Sequence, residues 1–342
     1  MLTNTQGFLF IGDPHIASTS PGRRKDADFA ATVAGSLSEA FRLANRLCLQ
    51  PVILGDLFHR ERDSEARMLV HLFRALRLAE RTPWCLVGNH DLEEHILTDR
   101  TTLAAVAETG LLQLIGNGAF DLIDCNGVLV GLGGTPYGQA IPQSVEGLFA
   151  ETPDQAIWIT HTDVRFKQAY PGALEPFAIA GCDLVVNGHM HLEQPSVQVG
   201  HTLWVNPGNI TRVSVDALDY APGVLAWTPL EGLRRYPIAH APGVEVFNLQ
   251  GRLSTADDAP NALAAGVAAI SHRSDFVRML VEDVQSRSGS GAAVLAAELE
   301  KVAEEERIAP EVLRLLFTLI PDASAETPLP AALPAQNLDH VA

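Results

Sequence analysis

The chain has 342 residues, 47% of them hydrophobic and 19% charged, with a formal net charge of −17. That length fits one large domain with an appendage or two modest domains. The acidic balance argues against a free-standing protein that coats nucleic acid by electrostatics, and no run nears the roughly 18–20 apolar residues of a membrane span.

In chain order, GFLFIGDPH reads as a strand entering a polar loop. The start shows neither a basic n-region nor a long apolar stretch, so a cytoplasmic protein without a signal peptide is expected. Residues 26–49 place Phe29, Val33, Leu37, Phe41, Ala44 and Leu47 at spacings of three and four, which predicts an amphipathic helix. A strand (PVILGD), a helix over 64–80, a strand and loop (WCLVGNHD) and a helix over 98–109 follow, the alternation of an α/β domain. AFDLIDCNGVLVGLGG then sets Asn126-Gly127 between two apolar segments, a hairpin signal. AIWITHTD and CDLVVNGHMH read as further buried strands ending in polar loops. SVQVGHTLWVNPGN and GVLAWTPLEGLRRYPIA are expected as hairpin strands closing a second sheet. From about residue 255 the pattern is helical and rich in Ala, Glu and Leu, broken by SRSGSG at 286–291; from Pro321 the composition is that of a disordered tail. Cys48, Cys85, Cys125 and Cys182 form no C-x-x-C pair and are expected as thiols.

Five apolar runs stop at clusters of Asp, Asn and His. These are Asp13 and His15; Asp56 and His59; Asn89, His90 and Asp91; His161; and His189 with His191. Any one cluster is as readily a turn or a helix cap, and a lone H-x-H is more plainly two ordinary histidines. Five clusters in the same position are harder to dismiss, because loops after the carboxyl ends of strands in an open α/β sheet converge on one crevice. Alternate residues of an extended chain face one way, so His189 and His191 can point into that crevice together. Mixed Asp, Asn and His ligands without a thiol suit borderline divalent ions such as Mn2+, Fe2+ or Zn2+ and disfavour a structural zinc.

In order, Asp13/His15, Gly55-Asp56, Gly88-Asn89-His90-Asp91, His161 and Gly188-His189-Met190-His191 match the D-x-H, G-D, G-N-H-D/E, H and G-H-x-H pattern of the calcineurin-like metallophosphoesterases. The chain resembles that superfamily over roughly residues 7–250. GDLFH and NPGNITR further resemble the branch that holds the SbcD-type nuclease subunits of double-strand-break repair complexes, and PGRRKD at 21–26 resembles its phage-type relatives. The resemblance implies an α/β fold, a two-sheet α-β-β-α sandwich with a C-terminal helical appendage. The expected domains are a catalytic unit over 1–250, a helical segment over 255–320 and a disordered tail over 321–342. It also implies two divalent metal ions, Mn2+ first, with Fe2+, Zn2+ or Mg2+ as alternatives. Asp13, His15 and His191 would hold one ion, Asn89, His161 and His189 the other, and Asp56 would bridge them. His90 is then the general acid or transition-state stabiliser, with Asp91 orienting it or capping a turn. His59 matches the branch position that contacts substrate phosphate, with a surface histidine after a strand as the alternative. Arg23 and Arg24 are candidate phosphate clamps, with a solvated loop as the alternative for each, and Arg212 is open to the same two readings. His71, His95, His201, His240, His272 and His340 match no motif position.

Phosphomonoesterases, phosphodiesterases and nucleases share this fold and these ions, so neither chooses among them. The branch motifs favour two-metal hydrolysis of phosphodiester bonds in DNA, by a nuclease or exonuclease related to DNA repair. A metallophosphatase or phosphodiesterase for a small nucleotide or phosphoprotein is the alternative, and a non-catalytic assembly subunit is disfavoured by the intact ligand set. Nucleic acid is the expected substrate. The apolar faces of 259–320 would pack on the chain's own core or dock an SMC-type ATPase, as the resemblance implies. Little sequence remains for a separate DNA-capping domain, which counts against processing of duplex ends.

Overall fold

Phe8 and Phe10 face one side of their strand and Leu9 and Ile11 the other, and all four are fully buried, so this strand has no solvent face. It is the centre of the fold. The computed structural model describes residues 4–166 and 172–249; the segments 255–320 and 321–342 lie outside the described residues. The elements run β1 (Asn4–Thr5), β2 (Gly7–Ile11), α1 (Phe29–Arg46), β3 (Leu49–Ile53), α2 (Ala66–Leu76), β4 (Trp84–Leu86), α3 (Thr102–Ala107), β5 (Gln113–Ile115), β6 (Gly118–Cys125) and β7 (Val128–Thr135). They continue with β8 (Gln155–Thr160), β9 (Leu184–Asn187), β10 (Gln194–Val199), β11 (Thr202–Asn206), β12 (Gly223–Thr228), β13 (Gly232–Pro237) and the single turn α4 (Gly243–Val246).

The strands make two sheets, one ordered β1-β6-β7-β8-β9-β11-β10 and the other β13-β12-β2-β3-β4-β5. β2 to β5 run parallel to one another, as do β7, β8, β9 and β11. Between the sheets, Phe8, Phe10, Val52, Leu54 and Leu86 interdigitate with Val130, Leu132, Ile157, Ile159 and Val186. On the other face of the six-stranded sheet, Leu9, Ile11 and Ile53 pack against Phe29, Val33, Leu37 and Phe41 of α1 and Met68 and Leu72 of α2. Each such side chain contributes about 1.5–3 kcal/mol relative to exposure. The outer face of the seven-stranded sheet is covered by irregular segments carrying Val145, Val164, Phe166 and Ile179. This is the α/β two-sheet sandwich expected. No helix among the described residues is long and apolar enough to cross a membrane.

Local chemistry sets the boundaries. The Asp28 carboxylate accepts from Ala31 N at 2.9 Å and starts α1 at Phe29, the first residue of the apolar period, and the Glu65 carboxylate caps α2 likewise through Met68 N at 2.8 Å. Asn126 (φ 58°) and Gly127 (φ 86°) form the tight β6–β7 turn, as their order in the sequence requires. One expectation is corrected: β10–β11 extends the second sheet, but β12–β13 joins the first, with β12 antiparallel to β2. Val224 and Ala226 bury on the helix side while Leu225 and Trp227 bury between the sheets. A strand with apolar residues on both faces needs that interior position.

Candidate metal centre

Five strand ends, three from one sheet and two from the other, deliver the candidate side chains to one place. β2 leads into Asp13 and His15, β3 into Asp56 and His59, and β4 into a 3₁₀ turn of Asn89, His90 and Asp91; β8 leads into His161 and β9 into His189 and His191. The turns are tight enough to force ligand positions into left-handed backbone: φ is 20° at Asp13, 49° at His15, 46° at Asp56 and 69° at His189. Such residues persist only where surrounding structure over-determines them. Here His15 N donates to Asp56 O (2.9 Å), His59 N to Ile16 O (3.0 Å), Gly188 N to Thr160 O (2.8 Å) and Ile210 N to Gly12 O (3.1 Å). The motif glycines leave room for the ligands themselves. A Cβ on Gly55 would lie 2.3 Å from His161 Nδ1, and one on Gly88 would lie 2.1 Å from Asp56 Oδ1.

The side chains fall into overlapping groups around Asp56. Asp13, His15 and His191 gather on one side, with His15 Nε2 3.1 Å from His191 Nε2. Asp56, His161 and His189 gather on the other. Asn89 Oδ1 lies 3.2 Å from His161 Nε2 and 2.9 Å from His189 Nδ1, so it belongs to that second group. Asp56 Oδ2 lies 3.7 Å from His15 Nε2 and 3.2 Å from His161 Nε2, between the two. His15, His59 and His90 form a third cluster beyond the first, with the His59 and His90 rings stacked 5.5 Å apart.

The protons show what the arrangement lacks. The Leu54 carbonyl can only accept, so His161 Nδ1 donates to it at 2.8 Å. In the neutral ring the Nε2 lone pair then faces two more acceptors, Asp56 Oδ2 and Asn89 Oδ1, a repulsive contact that a proton or a metal ion relieves. Burial alone would lower the His161 pKa, yet the charge and hydrogen bond of Asp56, with the charge of Asp13, lift it to about 9. Asp13 is fully buried with neither carboxylate oxygen hydrogen-bonded, and burial pushes its pKa up to about 7 despite the opposing pull of His161. Asp56 is held well below the carboxylate range, because His161 and His90 outweigh the burial that would raise it. The His15 imidazole is pushed well below its usual value, first by burial. Carboxylate, amide oxygen and imidazole nitrogen atoms gathered within reach of shared points in a buried site are the chemistry of a divalent cation site, and the donor set fits one.

The contacts bear on two roles that the sequence left open. Asp91 caps a turn, one of its two expected readings. Its oxygens accept from Phe58 N (3.1 Å) and Gly88 N (3.0 Å), fastening the β3 and β4 loops together, and its pKa is pushed up to about 7 by burial and by Asp56. The His90 ring is oriented through Nδ1, which donates to the His59 carbonyl at 2.9 Å. Arg24 is not positioned as a phosphate clamp: its guanidinium forks onto Asp26 at 2.6 and 2.8 Å, donates to Arg212 O and packs on Phe29 and Phe247. Arg23 reaches Asn248 O at 3.3 Å, and Arg212 is buried on the carbonyls of Tyr220 and Ala241. His59 is brought to the cluster, its pKa lowered to about 4 by burial, then by His90 and Arg60.

Several neighbours escape a motif search. Asp163 Oδ1 lies 3.3 Å from His189 Nε2, the ring nitrogen turned away from Asn89; its signal was the acidic residue two positions after His161. The Tyr137 ring stands 5.6 Å from the His189 ring. Asn187 and Asn206 brace the 187–191 loop, Asn206 donating to the carbonyls of Asn187 and Gly188 at 2.9 Å. Buried asparagines at strand ends were their only mark in the sequence.

The family model for calcineurin-like phosphoesterases matches residues 7–193. The chain belongs to that family. Among solved structures, this calcineurin-like phosphoesterase is similar to a dimetal phosphatase from Danio rerio (13% identity, TM-score 0.43, covering 71% of this chain and 98% of that one). It is also similar to an archaeal phosphodiesterase (13%, 0.34, 68% and 99%) and to a 5'-nucleotidase precursor from Thermus thermophilus (12%, 0.42, 70% and 55%). No curated protein matches the sequence significantly. Its two ligand groups around Asp56 are the candidate dinuclear metal centre of the family.

Proposed function

We propose that this chain hydrolyses phosphodiester bonds in DNA as a two-metal nuclease of the SbcD-type branch, with Mn2+ as the working ion. The observation that carries the reading is the stacking of His59 and His90, two half-buried imidazoles, against His15 of the Asp13/His15/His191 group. Asp13, His15 and His191 would hold one ion and Asn89, His161 and His189 the other, with Asp56 between. A divalent ion pair supplies Lewis acidity to the phosphoryl group. The protein supplies positioning and proton control. The His59 carbonyl fixes the His90 tautomer with the proton on Nδ1, leaving Nε2 to carry and give up the proton that a departing alkoxide needs. His59, with a pKa near 4, stays a neutral hydrogen-bonding group at neutral pH and can contact a phosphate oxygen without charge. An SMC-type ATPase docking on the segment 255–320 would supply affinity for DNA that a chain of net charge −17 lacks.

The test is hydrolysis by the purified chain with Mn2+, offered single-stranded and linear duplex DNA beside aryl phosphate mono- and diesters. Wild type should cleave DNA and the diester, with His90→Ala down by about 10²–10⁴-fold. Cleavage of the monoester alone supports instead the metallophosphatase reading and overturns ours.

A further inference from the structure

Among the described residues, most guanidinium groups on the loops that follow β2, β3, β4, β8 and β11 are already engaged. Arg24 is paired with Asp26, Arg62 and Arg100 with Glu93, and Arg165 with Glu175, while Arg23 and Arg212 hold backbone carbonyls. Arg60 differs. It follows His59 directly, its side chain is exposed, and among the described residues it has neither an ion-pair nor a hydrogen-bond partner. The backbone that carries it is pinned on both sides. His59 N donates to Ile16 O (3.0 Å) and His59 O accepts from the His90 ring (2.9 Å), while Glu61 O accepts from Thr102 N (2.8 Å). Two residues on, the Asp63 carboxylate is taken by Ser18 N at 2.7 Å. A fixed stem with an uncommitted planar donor is pre-organised for an oxyanion.

We propose that Arg60 holds a second, non-scissile phosphate of the substrate, so that the site selects chains of at least two phosphates, such as an oligonucleotide, over isolated phosphoesters. This rests on the nuclease reading and narrows it. An isolated phosphodiester presents its anion to the metal centre and has nothing left for Arg60. A strand with a neighbouring phosphate engages both, and the guanidinium fork, unlike a point charge, fixes the strand's orientation past His59 and His90.

The experiment compares KM across bis(p-nitrophenyl) phosphate, the dinucleotide dTpdT and an eight-nucleotide oligothymidylate, with Mn2+, for wild type, Arg60→Gln and Arg60→Lys. Arg77→Gln, an exposed arginine at the end of α2 without an ion-pair partner among the described residues, controls for loss of a surface charge. In Arg60→Gln the KM for the octamer should rise about tenfold relative to that for dTpdT, and the salt dependence of octamer binding should flatten by about 0.7 in log–log slope. Arg60→Lys should recover part of the loss, and Arg77→Gln should show none. An unchanged ratio, or equal rises for all three substrates, overturns the Arg60 assignment while leaving the nuclease reading intact. Wild type that turns over the aryl diester but neither oligonucleotide overturns the nuclease reading, and Arg60's role with it.

Discussion

A methyl group at position 188 separates the spacing of the pocket from its residue types. Gly188 has no left-handed φ, so alanine meets no backbone penalty there. Its Cβ, however, would lie 2.6 Å from Leu54 O, 2.8 Å from Asp13 Oδ1 and 2.8 Å from His161 Nδ1. To reach ordinary van der Waals separation each neighbour must retreat by roughly 0.6–0.8 Å. Leu54 O also anchors His161, so the second ligand group moves with the first. Overpacking of this kind costs about 1–3 kcal/mol, or roughly 3–9 °C in Tm for a domain of this size. Misplacement of reacting groups on the ångström scale costs about 100-fold in rate. Gly188→Ala should therefore melt lower without metal, gain less from Mn2+ than wild type, and lose about 100-fold in kcat/KM on bis(p-nitrophenyl) phosphate. Gly35→Ala, mid-helix in α1 with open space around it, should instead gain about 0.5–1 kcal/mol and keep wild-type turnover. Wild-type Mn2+ affinity and activity in Gly188→Ala would refute the argument that these ligands are held at their limiting separation.

Three further outcomes follow from the contacts. Asp163→Ala removes the carboxylate beside His189 Nε2 and should weaken Mn2+ binding about 10–100-fold by titration calorimetry, with folding intact by circular dichroism; unchanged affinity would make Asp163 a bystander. Stripping metal with EDTA should lower stability by about 2.7 kcal/mol relative to protein at a hundredfold excess of Mn2+ over its Kd, so a melting curve indifferent to Mn2+ would remove the metal centre from the account. Arg24→Ala should cost about 2–4 kcal/mol in urea unfolding, because it strands a largely buried carboxylate and opens the Phe29/Phe247 contact. Burial would raise the Asp26 pKa, but the hydrogen bonds from Arg24 and Thr32 and the Arg24 charge bring it below its usual 3.8. That contribution is present above pH 3.8 and is lost as pH falls through the lower folded value, so the gap between wild type and Arg24→Ala should narrow on acidification.

What could be read from the residues depended on how locally each feature is determined. The Asn126-Gly127 turn, the apolar stripe of α1 and the strand ends were visible because each rests on a few neighbouring residues: two positive φ angles, a period near 3.6, a buried run meeting Asp or His. The sheet that β12 joins was not, since its pattern of apolar residues on both faces is satisfied equally by either sheet until β2 is known to lack a partner on that side. The same limit explains the arginines. PGRRKD looks like a basic loop, yet Arg24 is neutralised by Asp26, two residues on, and seated by Phe247, more than two hundred residues away; Arg60, directly after a motif noted for its histidine, has no ion-pair or hydrogen-bond partner among the described residues.

The left-handed backbone at Asp13, His15, Asp56 and His189 gives the site a physical character of its own. Such conformations cost of order 1–2 kcal/mol per non-glycine residue, more than any single neutral hydrogen bond returns. The turns are held by bonds that cross between loops, His15 to Asp56, Ile210 to Gly12, Gly188 to Thr160, so relaxing one ligand means breaking another's support. Burial adds a second cost in the metal-free protein: a buried Asp13 carboxylate with no hydrogen-bond partner, while His161 holds a proton between Asp56 and Asn89 that an ion must displace. Both costs oppose folding in the metal-free state, and cation binding offsets the second. The free energy of ion binding is therefore coupled to the stability of the whole β2–β3–β4 loop system rather than to one side chain. Asp91 makes that coupling mechanical, because its carboxylate ties the amide of Phe58, after β3, to that of Gly88, before Asn89.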